Sequence, residues 1–386
     1  PKIDANASFQ RTIKKQVMYM DVSIPGMSGG GASSGIEVGR GNTWSAGVSA
    51  SMPLVSAQLW ESIRISGLGV ELAVEKARSS RLEAVTQTKK AYFAVLLAKE
   101  VADLYKLMFE NALANFQKTE LKYKVQKVSE VDYLRSKTTL NNTIPDVYNS
   151  QVSVALAIWQ LKAVIGLDLD TDVEVVGNLL DYADDIFSDS ISREDYDVSS
   201  NSSMKQLAIQ AEQLRRTIKL QQNANIPTLA LAFNFNYNAM TNDFNFKEYK
   251  WTPYSYVGLS LSIPIFAGGK RAYDIRQAKN QYEQVSMTMD ETERQLKIAI
   301  RNCLLTMDTS IKSYSSAEVA VETATKSFKI VETSYQVGRA TITDLDDARL
   351  ALLQAALSKT QAVYTYISTK ADLEQILGVD YSVENE

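Results

Sequence analysis

The 386-residue sequence contains no histidine and a single cysteine, Cys303. Without histidine, the commonest metal ligand and acid–base group of proteins is missing. A single cysteine excludes an internal disulfide, and the neighbouring Leu304 and Leu305 indicate a thiol packed on a helix rather than a nucleophile. Because the sequence also lacks a phosphate-binding loop and a nucleophile constellation, we predict no enzyme chemistry and no metal or other cofactor.

Long hydrophobic runs and a strong charge imbalance are also lacking. No run of about 18 apolar residues occurs, so the sequence predicts no transmembrane helix, and no signal peptide is recognisable. The net charge of −4 gives no electrostatic basis for binding nucleic acid. What is present is 45% hydrophobic and 22% charged residues, which is typical of an ordered protein with enough apolar side chains for a core.

Two copies of one pattern make up nearly the whole sequence, and a repeat on this scale determines the architecture. Tyr123 corresponds to Tyr335, a displacement of 212 residues (335 − 123). At the same displacement, without a gap, Val125 matches Val337, Asp132 matches Asp344, Lys137 matches Arg349, Leu161 matches Leu373 and Gly166 matches Gly378.

The start of the sequence is also interpreted from the repeat. Pro1, before the first strand, is the counterpart of Pro227, which stands before the matching strand of the second copy and follows a helix. We therefore expect a helix and any targeting segment to precede Pro1.

Each copy begins with two stretches of strict apolar/polar alternation, the period of a β-strand. The four stretches are residues 2–14, 43–52, 228–238 and 256–263. Each has about 10 residues, the length that crosses a bilayer when tilted. A soluble sheet packed on helices is the alternative. Aromatic residues near the loop ends favour a girdle at a membrane interface: Tyr237, Trp251, Tyr254 and Tyr256. Because four strands cannot close a barrel and an open edge cannot lie in lipid, several chains must share one barrel.

A long helix follows each strand pair, and a shorter helix returns from it. Residues 56–125 form the first long helix, roughly 100 Å long, with apolar residues spaced by three and four as in a coiled coil. The returning helices are predicted at 129–165 and 341–377, and Pro145 is expected to interrupt and kink the first. A purely structural coiled coil would show the same seam, but the four alternating strands argue against it.

The repeat gives the domain organisation. The first repeat is 1–166, with a strand pair at 1–53 and helices at 56–166; the second is 204–380, with a helix at 204–225, a strand pair at 227–264 and helices at 268–378. Between them, 167–203 is an acidic connector containing Asp181, Asp184, Asp185, Asp189, Glu194, Asp195 and Asp197. The absence of calcium-loop spacing favours a solvated segment over a cation site. Ser202 or Ser203 is predicted to cap the helix that follows, and 27–35 is predicted to be a Gly/Ser-rich loop.

With this duplicated order of helix, strand pair, long helix, tip and shorter helix, the sequence resembles the TolC family of outer-membrane efflux proteins. Local matches are the segments Pro264-Ile265-Phe266-Ala267-Gly268-Gly269, Tyr335-Gln336-Val337-Gly338 and Asp344-Leu345-Asp346-Asp347-Ala348-Arg349. The resemblance implies an α+β membrane protein that forms a homotrimer. Three chains of four strands would form a transmembrane β-barrel of about 12 strands in the outer membrane of a Gram-negative bacterium. Their helices would form a long coiled-coil barrel through the periplasm.

The resemblance also implies functional residues at the periplasmic end. Asp344 and Asp347, three apart on one helical face, would form a ring of carboxylates at a constriction that attracts cations; alternatively they only cap the helix. Tyr335 and Asp132 match positions that hydrogen-bond to hold this end shut. Tip residues that would dock a periplasmic adaptor protein are Gln126, Lys127, Val128, Ser129, Gly338, Arg339, Ala340 and Thr341. The sequence departs from the family in having Ala340 in place of an arginine and Gln126 in place of a glycine.

The function implied is a passive exit duct that completes a tripartite pump with the adaptor and an inner-membrane transporter, exporting small molecules. One alternative is the outer-membrane channel of a type I protein secretion system. Another, of a different class, is a soluble coiled-coil scaffold, which would purify without detergent.

Overall fold

The computed structural model describes residues 1–18, 36–184 and 197–379. The predicted loop at 27–35 and Asp185, Asp189, Glu194 and Asp195 of the acidic connector lie outside the described residues. The described strands are β1 (Lys2–Arg11), β2 (Gln16–Met18), β3 (Ile36–Val38), β4 (Asn42–Val55), β5 (Thr228–Thr241) and β6 (Thr252–Ser262). The described helices are α1 (Ala57–Lys124), α2 (Glu130–Ile165), α3 (Ser202–Asn223), α4 (Lys270–Gln336) and α5 (Ile342–Leu377), with short 3₁₀ turns at Leu179–Tyr182 and Phe246–Glu248.

The four predicted strands form one antiparallel sheet in the order β1-β4-β5-β6, and β2 pairs with β3 separately. The register places one row of apolar residues across the sheet, in which Ala50 lies opposite Phe233 and Phe233 opposite Val257. The next row contains Ser49, Asn234 and Tyr256, on the other face. The strict alternation of the sequence thus becomes one apolar and one largely small, polar face, as predicted.

The register corrects one expectation about the aromatic residues. Tyr256 pairs with Asn234 and Tyr254 with Asn236, so both rings lie on the polar face of the sheet. Tyr237 instead shares the apolar face with Phe235, against whose ring it packs at 5.4 Å. Because side chains alternate along a strand, Tyr254 and Tyr256 do not contribute to an aromatic girdle on the apolar face.

The chain divides into two compact units, and each takes parts of both predicted repeats. The first unit is Pro1–Gly69 with Glu212–Glu283; the second consists of the described residues of Val70–Ala211 and Gln284–Glu386. The boundaries 1–166, 167–203 and 204–380 therefore stay a prediction. In the second unit, residues on the inner faces of both long helices are buried, including Val95 and Ala112 on α1 and Met307 and Tyr314 on α4. Close packing of small and aromatic side chains is the geometry that a three-and-four spacing favours.

Two local predictions are wrong. Pro145 does not interrupt α2, which continues on both sides of it, while the predicted kink stays a prediction. Its position on the exposed face lets water bind the carbonyl that its missing N–H leaves free. The cap of α3 is Asn201 rather than a serine, since its side-chain oxygen accepts from the backbone N–H of Ser203 at 2.9 Å and of Met204 at 3.3 Å. Its amide also donates to the carbonyl of Ile376, a second contact that no capping rule contains.

Among the helices described, none contains an apolar stretch long enough to cross a bilayer.

The C-termini of α2 and α5 provide a matched pair for testing packing. Gly166 and Gly378 are repeat counterparts, and both cap their helix in the left-handed region, at φ 75° and 70°. A Cβ on Gly166 would meet nothing within 4 Å, whereas one on Gly378 would lie 2.5 Å from the carbonyl oxygen of Ser200. The backbone strain is shared, and the clash belongs to Gly378 alone.

We expect Gly378→Ala to lower the free energy of unfolding by about 2–3 kcal/mol and Gly166→Ala by about 1 kcal/mol, because only the former adds a clash to the left-handed strain. Thermal unfolding followed by circular dichroism compares the two variants directly. Equal unfolding midpoints would show that the backbone at Ser200 moves away from the added methyl group without loss of stability.

Candidate functional site

The two helical tips turn with the same backbone hydrogen bonds. At the first tip, the N–H of Gln126 donates to Tyr123 at 2.9 Å and the N–H of Lys127 to Lys122 at 2.8 Å. At the second, the N–H groups of Gly338 and Arg339 donate to Tyr335 at 3.1 Å and Ser334 at 2.8 Å. Every residue in one set is the repeat counterpart of a residue in the other, so the turns are equivalent.

The equivalent turns require the same backbone conformation from different residues. Gly338 has φ 77° and Gln126 has φ 58°, and Gln126 is the one non-glycine residue with positive φ within the described ranges. A side chain in the left-handed region costs roughly 1–2 kcal/mol, which glycine avoids. The departure from the family at Gln126 therefore leaves the turn in place and adds strain to it.

Both returning helices begin with a hydroxyl–carboxylate cap. The N–H of Asp344 donates to Thr341 Oγ1 at 3.1 Å, while the N–H and hydroxyl of Thr341 donate back to the carboxylate at 2.8 and 2.7 Å. The two hydrogen bonds that Thr341 donates to the carboxylate lower the pKa of Asp344 below its ordinary value. At α2, Ser129 and Asp132 make the corresponding pair at 3.1 and 2.8 Å. The predicted capping role of Asp344 is thus present in the structure.

The acidic residues at the start of α5 point in two directions. Asp344 and Asp347 are exposed, whereas Asp346 is partly buried. Asp346 accepts from Thr139 Oγ1 of α2 at 2.9 Å and from Arg349 Nη1 at 3.0 Å. Burial raises the pKa of Asp346, against the lowering effect of Thr139 and Arg349. The two carboxylates chosen from the sequence are therefore available to solvent, and the third is occupied within the chain.

Arg349 is the most deeply buried charge at this end of the helices. Its side chain is 5% exposed, and burial lowers its pKa, opposed by the carboxylates of Asp346 and Glu332. Its Nε has no hydrogen-bond partner within the described part of the chain, and the side chain lines a cavity of about 50 Å³ between α1, α4 and α5, enough for ordered water. Lys137, its repeat counterpart, is exposed. The second helical pair thus contains an ion pair with a buried arginine, and among the described residues Lys137 makes no such pair in the first.

Tyr335 and Asp132, expected to act together, do not meet. The Tyr335 hydroxyl shares a hydrogen bond with Thr119 Oγ1 at 3.2 Å, and the ring lies 5.6 Å from the Lys122 ammonium. Asp132 is engaged by Ser129 in the cap of α2. No hydrogen bond between Tyr335 and Asp132 occurs among the described residues, so their role in closure stays a prediction.

Contacts between the two returning helices were missed in the sequence. Arg135 Nη1 donates to Thr343 Oγ1 at 3.0 Å, and the Thr139 hydroxyl donates to Asp346. Arg135 and Thr139 are four apart on α2, and Thr343 and Asp346 are three apart on α5, so each pair shares a helical face. The sequence signal that could have indicated these contacts is the spacing of polar residues by three or four on both helices.

Comparison with known proteins supports the family resemblance found in the sequence. The family described as outer membrane efflux protein matches residues 1–167 and 198–379. The outer membrane protein TolC of Vibrio cholerae is 22% identical over 342 residues, which is 86% of this chain and 76% of TolC. TolC of Escherichia coli is also 22% identical, over 87% of this chain and 70% of the relative. The alkaline protease secretion protein AprF of Pseudomonas aeruginosa is 21% identical, over 86% and 69%.

Solved structures share the fold at low sequence identity. The outer-membrane channel OprN superposes with a TM-score of 0.75 at 15% identity, covering 98% of this chain and 81% of OprN. The outer membrane protein VceC of Vibrio cholerae gives a TM-score of 0.73 at 14% identity, with 98% and 87% coverage. These names describe an outer-membrane channel and an outer-membrane protein, and the resemblance found in the sequence is confirmed. The chain belongs to the outer membrane efflux protein family.

Proposed function

We propose that this protein is the outer-membrane exit duct of a tripartite efflux pump and works as a homotrimer. The observation that carries the proposal is the four-stranded sheet, whose apolar face is exposed in the single chain: Phe233, Val257, Leu259 and Leu261 are each more than 40% exposed. In lipid, that face would be covered by acyl chains, and the polar face would line water.

The sheet cannot enter a membrane as one chain. β1 and β6 are its edge strands, and each leaves one row of backbone groups unpaired within the described sheet. Unpaired backbone groups in hydrocarbon cost several kcal/mol each, so the edges must close on other copies. Known bacterial barrels have at least about 8 strands, and three copies would give about 12.

The tips are the proposed docking surface for a periplasmic adaptor. Gln126, Lys127, Gly338 and Arg339 are exposed. So are two valines at equivalent positions, Val125 at 62% and Val337 at 66%. Both turns therefore present an apolar side chain beside a basic one. The second row of proposed contacts consists of Val128, Ser129, Ala340 and Thr341.

The cargo class depends on the inner-membrane partner. A duct has no energy source of its own, so a transporter joined through the adaptor would supply it. AprF, whose name describes alkaline protease secretion, supports the second candidate, a type I protein secretion channel. The family match argues against the third candidate, a soluble scaffold.

Crosslinking of the full-length protein in its native envelope, followed by affinity purification and mass spectrometry, tests the proposal. Recovery of an adaptor with a proton-driven pump would support small-molecule efflux. An ATP-driven transporter with a secreted protein would replace efflux by protein export. Recovery of neither, from a protein that is soluble without detergent, would contradict the duct.

Charge removal at the proposed constriction provides a direct prediction. Asp344→Asn combined with Asp347→Asn is expected to lower the cation-to-anion permeability ratio in planar bilayers at least twofold, because a trimer would lose about six carboxylates at one narrow place. Thr341→Ala is the matched control, since it removes the partner in the helix cap but keeps both carboxylates. Unchanged selectivity in the double variant would leave Asp344 with its capping role alone.

Closure at the tips provides a second prediction. Tyr335→Phe is expected to raise the closed-state conductance severalfold, because it deletes the hydroxyl bonded to Thr119. Thr119→Val removes the same hydrogen bond and should have the same effect, with little further increase in the double variant. The hypothesis fails if Tyr335→Phe conducts like the unaltered protein. Additive effects would mean that Tyr335 acts through a different partner.

A further inference from the structure

The strands connect to the helices at one end of the sheet. We call this region the junction and define it as residues 54–69, 212–226 and 264–283. β4 ends at Val55 just before α1, β5 begins at Thr228 just after α3, and β6 ends at Ser262 before α4. If the sheet lies in the outer membrane, as proposed above, the junction lies at the periplasmic surface of that membrane.

The charge of the junction is opposite in sign to that of the whole chain. It contains eight basic and four acidic residues, a net charge of +4, whereas the chain carries −4. Such a local excess of positive charge attracts an anionic partner, and attraction is strongest within about 8 Å at physiological ionic strength.

Three of these basic residues are free to bind. Lys219, Arg276 and Lys279 are exposed, and none makes an ion pair or hydrogen bond with another residue of the described chain. By contrast, Lys270 is paired with Asp274 at 2.6 Å and Arg215 with Glu212 at 3.1 Å. The three free cations thus differ from the other basic residues of the junction in having no partner in the described part of the chain.

An exposed apolar loop adjoins the basic residues. Ile265 is 91% exposed and Phe266 is 85% exposed, directly after the apolar row of β6. Arg271 Nη1 fixes the base of this loop by donating to Asn225 Oδ1 at 3.1 Å and to the Pro264 carbonyl at 3.3 Å. Apolar side chains continuous with a lipid-facing surface, and followed by cations, are typical of segments that lie in the membrane interface.

The distances along the helices place one of the three cations within the depth of a headgroup layer and the other two beyond it. At 1.5 Å per residue, Lys219 lies about 6 Å from the end of α3, and Arg276 and Lys279 lie about 9 and 13 Å from the start of α4. One headgroup layer is about 5–8 Å thick. Side chains tilt toward the N-terminus of their helix, which for α4 is the end nearest the sheet, so the long side chains of Arg276 and Lys279 extend back toward the depth of the phosphate groups. Lys219 needs no such reach, because its backbone already lies at that depth.

We propose that the junction binds the phosphate groups of anionic glycerophospholipids in the periplasmic leaflet, through Lys219, Arg276 and Lys279, with Ile265 and Phe266 inserted at the acyl boundary. The inference rests on the proposed function, because it requires the sheet to lie in the outer membrane. It adds a lipid class to that function and a set of residues that select it.

Native mass spectrometry of the purified full-length protein in detergent tests the headgroup preference, with phosphatidylglycerol and phosphatidylcholine added in equal amounts. Each basic side chain near an anionic surface contributes about fivefold in binding. We therefore expect at least tenfold more bound phosphatidylglycerol, and a tenfold loss of that preference in the triple variant Lys219→Gln/Arg276→Gln/Lys279→Gln. Equal binding of the two lipids to the unaltered protein, or an unchanged ratio in the variant, would overturn the proposal.

The control variant removes three exposed cations of α4 outside the junction: Arg294→Gln/Lys312→Gln/Lys326→Gln. It is expected to retain the preference, and an equal loss would reduce the effect to net charge and overturn the assignment.

For the loop, Ile265→Ser/Phe266→Ser is expected to weaken binding to both lipids while the oligomer stays intact. Dissociation of the oligomer would instead assign the loop to a contact between copies.

Conductance in planar bilayers distinguishes failure of the lipid proposal from failure of the proposed function. A conducting channel without lipid preference contradicts only this proposal, whereas a protein that never inserts contradicts the duct.

Discussion

The proposed architecture depends on how the unpaired backbone groups of the two edge strands, β1 and β6, find hydrogen-bond partners. In the proposed position in lipid, which offers no hydrogen-bond partner to a peptide group, the four-stranded sheet would be complete only if β1 and β6 met strands of other copies. That closure would also gather the helices of several chains around one axis. A constriction, a common docking end and a lumen would all follow from it, and none of them belongs to one chain alone.

The sequence predicted the elements of this fold well because the signals are periodic and occur twice. Alternation located the four strands, and three-and-four spacing located the helices to within a few residues. Where prediction failed, the determinant was not periodic. Whether Pro145 breaks α2 depends on which side of the helix faces solvent, and the choice of Asn201 as cap depends on its second contact with Ile376.

The candidate site was predictable only at the level of the turn. Gly338, Thr341 and Asp344 follow local capping rules, and their hydrogen bonds are those that the rules describe. The partner of Tyr335 depends instead on the register between α1 and α4, which no local pattern contains. The burial of Arg349 is similar, because the matching position in the first copy is an exposed lysine. Duplication preserved the backbone and left the polar contacts free to diverge.

The matching hydrogen bonds of the two tips have a consequence for symmetry. In the proposed trimer, three chains would present six turns of nearly the same backbone, so the end of the duct would be quasi-sixfold although the assembly is threefold. The strained Gln126 turn and the relaxed Gly338 turn would then alternate around the ring. A partner that reads only backbone shape would find six equivalent positions, and one that reads side chains would find two sets of three.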